Sequence, residues 1–194
     1  KYAPLIHAAF SNRAPKLGIH LHDVQTPEAI RLVEQGDIDI AANVIEDLPK
    51  RFKSIPLFTS QIVVIASKQN PYIKGKIDLA GYQKARHLMY SASKPMNNTL
   101  DEGLAKWDIT RDIGMTISGH LAVPVIIAHS DLIATVTQEL AEPYVEKYEL
   151  QMLKLPFDIP DIQVSLFWHE RNDRDAGHQW LREMAVKMTL RQRH

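Results

Sequence analysis

The sequence predicts an α/β protein, because segments with the period of a strand alternate with segments with the period of a helix along the whole chain. A strand, helix and strand follow each other over residues 17–45. A continuous apolar run at residues 62–65 is typical of a strand that is covered on both faces. A long amphipathic helix closes the chain. We expect roughly eight strands and seven helices.

The first elements are a helix and a half-buried strand. Residues from about 4 to 14 have helical apolar spacing, and Pro15 ends this helix. Leu17, Ile19 and Leu21 alternate with Gly18, His20 and His22, which is the period of a strand with one buried face.

A second helix and strand follow at once. Thr26 is placed to act as an N-cap, Pro27 occupies the favoured first helical position, and Gly36 is placed to end the helix. Residues 38–45 are then expected to form a strand rich in β-branched residues. Two strands joined through a helix by short turns predict a parallel sheet with a right-handed crossover.

The rest of the chain continues the alternation. A buried strand over 57–67 is broken by Asn70 and Pro71. The next expected elements are a short helix capped by Asp78, a strand at 87–91, a helix whose inner stripe is Leu100, Leu104 and Trp107, and a strand at 113–117. They are followed by a helix to 128 with Pro124 in its first turn, a strand at 132–136 and a helix at 140–148. The last expected elements are strands at 150–155 and 162–168 and a helix from about 173 with Trp180 inside. Trp168 and Trp180 are expected in the core.

The amino-acid composition argues against direct binding to nucleic acid and against a membrane-spanning segment. Lys plus Arg equal Asp plus Glu at 23 each, and no basic cluster is present that could replace counterions along a phosphate backbone. Direct binding to nucleic acid is therefore not expected. The apolar runs are too short to span a membrane, no signal peptide is recognised, and the absence of cysteine is compatible with a cytoplasmic location.

Catalytic, metal and cofactor motifs are not found. The sequence has no H-E-x-x-H zinc motif, no glycine-rich phosphate loop and no G-x-S-x-G nucleophile elbow. His20 and His22 share one strand face, but exposure on its polar side explains them better than chelation. We therefore expect no catalytic residues, no metal and no cofactor, and the chain is not expected to be an enzyme.

Three segments resemble the effector-binding domain of LysR-type transcriptional regulators. Residues 33–41 (VEQGDIDIA) are similar to that family's helix-to-strand turn, and residues 118–136 are similar to its apolar helix with the following D-L-I-A-x-V strand. Residues 166–171 (LFWHER), with Trp180, Leu181 and Arg182, resemble the C-terminal signature of the branch that responds to aromatic and flavonoid-like inducers. The resemblance covers the whole chain in order.

The resemblance implies a periplasmic-binding-protein type II-like fold, in which two Rossmann-like lobes are joined by two crossing strands and enclose an effector. Lobe one would comprise residues 1–65 plus 165–194, and lobe two residues 66–164. The crossings would lie near residues 65–68 and 161–165. A first strand, whose end often contacts the effector, and a winged helix-turn-helix would precede Lys1, so DNA is expected as a partner only through that N-terminal domain.

The same resemblance implies assembly into a homodimer or tetramer. Family members dimerise through the first helix and an edge strand of one subunit against the second lobe of another. Here those surfaces would be residues 6–10, residues 17–22 and the helix that begins near His120.

Candidate effector contacts lie where strands lead into helices, because ligands of open α/β sheets bind outside the carboxyl ends of strands. Thr26 is one candidate, although an N-cap role explains it better, and one residue can do both. Asn43, at the end of its strand, is a weaker one. Ser91, Ser93 and Asn97 lie in a polar loop where the family's lobe-two effector loop falls, and local turn bonding is the alternative interpretation.

His120 is the remaining candidate, at a strand-to-helix junction. It would hydrogen-bond a ligand anion or act as a switchable charge, and a purely structural role is the alternative. Two departures from the family leave the ligand class open. The branch that senses aromatic compounds often has a histidine near Asn97, and the family often has one at the position of Gly119.

The leading hypothesis is the effector-binding and oligomerisation domain of a LysR-type regulator that senses a small aromatic or carboxylate metabolite. A solute-binding protein of a transport system is the alternative, and an export signal upstream would favour it. An enzyme on the same scaffold is a third possibility, which would require turnover of a bound ligand.

Overall fold

The structure is a computed structural model that describes residues 2–45, 47–90 and 103–190. It divides into two compact units. Unit 1 comprises Lys1–Thr59 and Gln163–His194, and unit 2 comprises Ser60–Ile162. The boundaries that the resemblance implies lie between residues 65 and 66 and between residues 164 and 165.

The helices are α1 (Tyr2–Arg13), α2 (Thr26–Gln35), α3 (Leu79–Lys84), α4 (Val123–Ala128), α5 (Gln138–Ala141) and α6 (Ala176–Leu190). The strands are β1 (Ala41–Val44), β2 (Phe52–Ser60), β3 (Ile62–Ser67), β4 (Arg86–Tyr90), β5 (Asp112–Ile117), β6 (Ile133–Thr137), β7 (Leu150–Lys154) and β8 (Ile162–His169). Short 3-10 helices cover His120–Ala122, Glu142–Tyr144 and Glu170–Asn172, and residues 103–106 are also helical. The predicted α/β class is confirmed.

Unit 1 is built on a three-stranded sheet in the order β1-β8-β2. β1 runs antiparallel to β8, with Ala41 opposite Phe167 and Val44 opposite Val164. Helix α2 buries Ala29 and Val33, which are four residues apart and therefore on one helical face, against Phe167. This packing is what fixes the start of α2 beside the end of β1.

The predicted strand at residues 17–21 is wrong, and so is the parallel strand–helix–strand unit built on it. Residues 17–22 form no ladder with any described strand, and β1 pairs antiparallel to β8 instead. Leu17 and Leu21 remain 48% and 61% exposed. Alternating polarity shows which side chains would share a face, but a strand also requires a neighbouring backbone to pair with.

Unit 2 is built on a five-stranded sheet in the order β5-β4-β6-β3-β7. β4 is parallel to β5 and β6, whereas β3 is antiparallel to β6 and β7. Residues 63–67 are all buried, which confirms a strand covered on both faces. The single strand predicted over 57–67 is in fact two, because the chain leaves the extended ladder at Gln61.

Two further helical predictions need correction. The helix expected over 140–148 ends early: α5 has four residues and passes into a 3-10 turn that contains Pro143, which has no N–H to continue an α-helix. Trp107 was expected on an inner stripe, but it is 50% exposed, while Leu104 is buried. The backbone leaves the helix just there, since Asp108 has φ +50°. Leu100 lies outside the described residues.

Other expectations hold. Pro124 lies in the first turn of α4, and Asp78 caps α3 by accepting a hydrogen bond from the Gly81 N–H at 2.7 Å. Trp168 is buried, and half-buried Trp180 packs edge-on against Phe10 with ring centroids 5.3 Å apart. None of the helices in the described residues has the length and apolar character that crossing a bilayer requires.

Candidate functional site

The carboxyl ends of three parallel strands meet at one edge of the unit 2 sheet. β4 pairs with β5 on one side and with β6 on the other, and Tyr90 at the end of β4 lies opposite Ile117 at the end of β5. Thr137 ends β6. This edge is where α/β sheets bind ligands, because the loops leaving it converge there.

An aromatic residue and a histidine lie together at this edge. After β5 the chain turns through Ser118 and Gly119 and enters a 3-10 helix at His120. The His120 ring meets the Tyr90 ring edge-on, with centroids 5.6 Å apart and planes at 74°. Both side chains are half-buried. The pair combines an apolar ring face with imidazole and phenol groups that hydrogen-bond anions and hydroxyls.

Tyr90 was not selected from the sequence. The signal for it was present, since it is an aromatic residue at the last position of a strand, directly before the polar loop. Ser91, Ser93 and Asn97 lie outside the described residues, so their effector contacts stay predictions. They follow Tyr90 in the chain.

Thr26 and Asn43 lie in unit 1 and meet around Val44. The Thr26 hydroxyl donates to the Val44 carbonyl at 2.9 Å. The Asn43 amide donates to the Val24 carbonyl at 3.3 Å and accepts from the Val44 N–H at 3.0 Å. These bonds hold the loop before α2 against the end of β1.

The N-cap role expected for Thr26 is wrong. Thr26 is already the first residue of α2, and Gln25 is the N-cap. A threonine before a proline fits the usual N-cap pattern, but here the Thr26 hydroxyl donates to the Val44 carbonyl of β1 instead.

The residues of the C-terminal signature hold unit 1 together. The Trp168 indole N–H donates to the Asp173 carboxylate at 3.1 Å, and the Arg182 guanidinium lies 4.4 Å from the centre of the Trp168 ring. Arg182 also donates to the carbonyls of Asn172 and Asp173 at 3.2 and 3.0 Å. This cluster fastens α6 to the end of β8.

Side chains of the same region also donate hydrogen bonds to backbone carbonyls at the end of α2 and just before β1. Arg182 donates to His178 Nδ1 at 2.7 Å, so Nε2 of that ring carries the proton donated to the Asp39 carbonyl at 3.0 Å. Arg171 donates to the carbonyls of Val33 and Glu34 at the end of α2, at 2.6 and 2.7 Å. The signature therefore has a structural role in unit 1.

A groove of about 680 Å³ lies within unit 1. Apolar side chains supply most of its lining, and they come from α1, residues 17–22, residues 37–43 and α6. Asn43 is among the lining residues, whereas Thr26 is not. With few polar groups converging on it, the groove fits an apolar surface better than a small anion.

The described part of the chain contains no candidate metal site. No three of its His, Asp and Glu side chains are close enough to hold a metal ion. In the core of unit 2, burial lowers the pKa of His87. Its Nε2 pairs with the Tyr82 carbonyl at 2.8 Å, and its buried Nδ1 has no hydrogen-bond partner among the residues that the structure describes. His87 is part of the packing.

Comparison with known families matches the LysR substrate binding domain over residues 1–189 of this chain. The chain belongs to this family. The predicted fold, two α/β units of periplasmic-binding-protein type II-like architecture, is thereby confirmed.

Curated relatives of this LysR domain are regulators. It is 27% identical over 187 residues to the HTH-type transcriptional activator NagR of Ralstonia sp, and it is 32% identical over 146 residues to the HTH-type transcriptional regulator LeuO of Escherichia coli (strain K12). These matches cover 96% and 72% of the chain. The chain spans about 62% of the length of NagR and 44% of LeuO.

Solved structures share the fold of this LysR domain. The regulatory domain of MexT, a transcriptional activator in Pseudomonas aeruginosa, matches with a TM-score of 0.83 at 20% identity, covering 96% of this chain and 92% of that one. The effector binding domain of QuiR in complex with shikimate matches with a TM-score of 0.75 at 15% identity, covering 97% and 90%.

Proposed function

We propose that this chain is the sensor of a LysR-type transcriptional regulator and that it binds a small carboxylate, aromatic or hydroxylated, at the Tyr90–His120 edge of unit 2. The contact between these two rings at the carboxyl ends of β4 and β5 carries the proposal. A ring-shaped acid would lie against Tyr90, and its carboxylate would accept hydrogen bonds from His120 and the loop that follows Tyr90.

The loop supplies further donors in this proposal. Ser91, Ser93 and Asn97 are the polar side chains that we expect to complete the carboxylate site from unit 2. QuiR, a protein of similar fold, was solved with shikimate, a hydroxylated ring carboxylate, which supports this class of ligand.

Thr26 and Asn43 of unit 1 stay candidate contacts for hydroxyl groups of the same ligand. The Thr26 hydroxyl already donates its proton to the Val44 carbonyl, so it offers an effector only its oxygen lone pairs. Asn43 is held by two backbone bonds, but its amide nitrogen carries a second N–H that can donate to an effector. We therefore expect Thr26 to accept a hydrogen bond from a hydroxyl of the ligand and Asn43 to donate one.

Regulation would follow from the preference of the effector for one conformation of the chain over another. The change would reach DNA through a helix-turn-helix domain, which the names of the relatives include. Exposed apolar side chains at Leu17, Leu21 and Leu121 would suit contact with a second copy in a dimer or tetramer, and a cytoplasmic location fits this role.

Isothermal titration with a panel of acids tests the proposal. The panel contains benzoate, salicylate and shikimate, and each acid has its neutral amide as a control. We expect at least one acid to bind and its amide to bind at least tenfold more weakly, because the site recognises a negative charge.

The matched variants are His120→Ala and His129→Ala. His129 is exposed and is the C-cap of α4, whereas His120 begins the 3-10 helix that precedes α4. His120→Ala should weaken binding of the acid by about 10- to 100-fold, as expected for the loss of a hydrogen bond to a charged group. His129→Ala should leave the affinity unchanged. Equal affinities in the two variants would contradict the proposed site, and chemical conversion of the acid would indicate an enzyme.

A further inference from the structure

The chain passes between its two units twice, at Thr59–Ser60 and at Ile162–Gln163. The two strands that contain these links, β2 and β8, are neighbours in one sheet. Any change of angle between the units must therefore act on the backbone at these two links. How freely the backbone can turn at these links depends on the side chains that immobilise the residues beside them.

On the unit 2 side, β2 is fixed by hydrogen bonds to the start of α5. Ser60, which is only 1% exposed, donates its hydroxyl proton to the Glu139 carboxylate. The next residue, Gln61, accepts at its carbonyl from the Gln138 N–H at 2.9 Å. The end of β2 is thus fastened to unit 2 directly after the first link.

On the unit 1 side, one side chain binds both strands. The Gln163 amide nitrogen donates to the Phe58 carbonyl of β2 at 2.8 Å and to the Val164 carbonyl of β8 at 2.9 Å. Its amide oxygen accepts from the Thr59 hydroxyl at 3.3 Å. Gln163 is the residue at the second link itself, so it ties the two links to each other.

We propose that Gln163 is a positioning residue that makes the two links turn as one hinge and thereby sets the affinity of the domain for its effector. This inference rests on the proposed function only for its effector part. Without the Gln163 amide, β2 and β8 would be joined beside the links by their backbone ladder alone, and unit 1 would sample a wider range of orientations in the absence of ligand.

Interunit distances measured by electron paramagnetic resonance test the hinge in the effector-free protein. The chain contains no cysteine, so spin labels are placed only where Lys84→Cys in unit 2 and Glu183→Cys in unit 1 introduce them. Gln163→Ala should broaden the distance distribution, and Thr59→Val, which removes one of the three bonds, should broaden it less. Gln179→Ala is the matched control, because Gln179 is also exposed and donates to a backbone carbonyl, that of Asp173 at 3.1 Å, within α6 and its preceding turn.

Effector titration is the second arm. Gln163→Ala should change the affinity for the acid by about two- to tenfold, which is the effect expected from losing one or two exposed hydrogen bonds. Gln179→Ala should leave the affinity unchanged. An unaltered distance distribution in Gln163→Ala overturns the hinge, and a broadened distribution with unaltered affinity overturns its link to the effector. If no acid binds, the proposed function fails, and the distances alone still decide the hinge.

Discussion

Arg182 shows how a single side chain of the C-terminal signature stabilises unit 1. Its guanidinium lies over Trp168 and donates to two backbone carbonyls, with only 11% of the side chain exposed. Arg182→Met should lower the free energy of unfolding by about 2–4 kcal/mol, because the stacking and the bonds to the carbonyls are lost together. Urea unfolding followed by tryptophan fluorescence measures this, since Trp168 and Trp180 both lie in unit 1.

The control for this prediction is Arg174→Met, because Arg174 is exposed in the same turn before α6. It should change the unfolding free energy by no more than about 0.5 kcal/mol. Similar losses in the two variants would show that general charge, rather than the Trp168 cluster, is responsible.

His87 makes the stability of unit 2 depend on pH. Burial lowers its pKa below the ordinary value of 6.5, while the Tyr82 carbonyl opposes the shift. The unfolded chain therefore takes up the proton more readily than the folded one. Stability is complete above the unfolded pKa and is lost as the pH falls through it toward the folded pKa.

The variant His87→Gln tests this directly, because glutamine keeps an amide donor for the Tyr82 carbonyl and does not titrate. The drop in unfolding free energy between pH 7.5 and pH 5.5, both chosen as about one unit from the ordinary histidine pKa, should shrink in His87→Gln. Exposed His129→Gln should leave the drop unchanged. A drop of wild-type size in His87→Gln would contradict the assignment.

Single residues at the candidate site were only partly predictable. His120 was identified from its position between a strand and a helix, and the structure adds its ring contact with Tyr90. The pattern around Thr26 indicated a helix start but not the direction of its hydroxyl. That direction depends on the Val44 carbonyl, which comes from another strand and is invisible in local sequence.

At the scale of elements, Gly36 ends α2 in a conformation that favours glycine, with φ +86°. Gly36→Ala should cost about 1–2 kcal/mol of unfolding free energy through backbone strain, because the contact that an added Cβ would make among the described residues, with Arg171 Nη2 at 3.6 Å, is an ordinary one. Asparagine at this position should cost less. Urea unfolding provides the measurement, and Gly18→Ala, which has open space around its Cβ, should be neutral.

Elements were predicted well where their own residues decide them. The buried strand β3 and helix α4 with its early proline follow from local apolarity and the restricted backbone of proline. The strand expected at 17–21 failed because pairing is not a local property. The helix expected over 140–148 failed because Pro143 outweighed an apolar stripe with helical spacing.

At the scale of the whole molecule, the alternation of strands and helices was enough to predict the class, but not which strands pair. Both sheets contain antiparallel neighbours where simple alternation indicated parallel ones. The reason is that β2 and β8 each carry the chain from one unit to the other, so the sheet order depends on contacts between residues about 100 positions apart, such as Phe58 with Gln163.

Backbone amide NMR of the labelled chain during titration with the bound acid tests the central claim most directly. We expect the largest shifts at Tyr90, at Gly119 and His120, and in residues 91–102. Shifts concentrated instead at residues 17–22 and 37–43 would place the ligand in the apolar groove of unit 1, and they would contradict the proposed site.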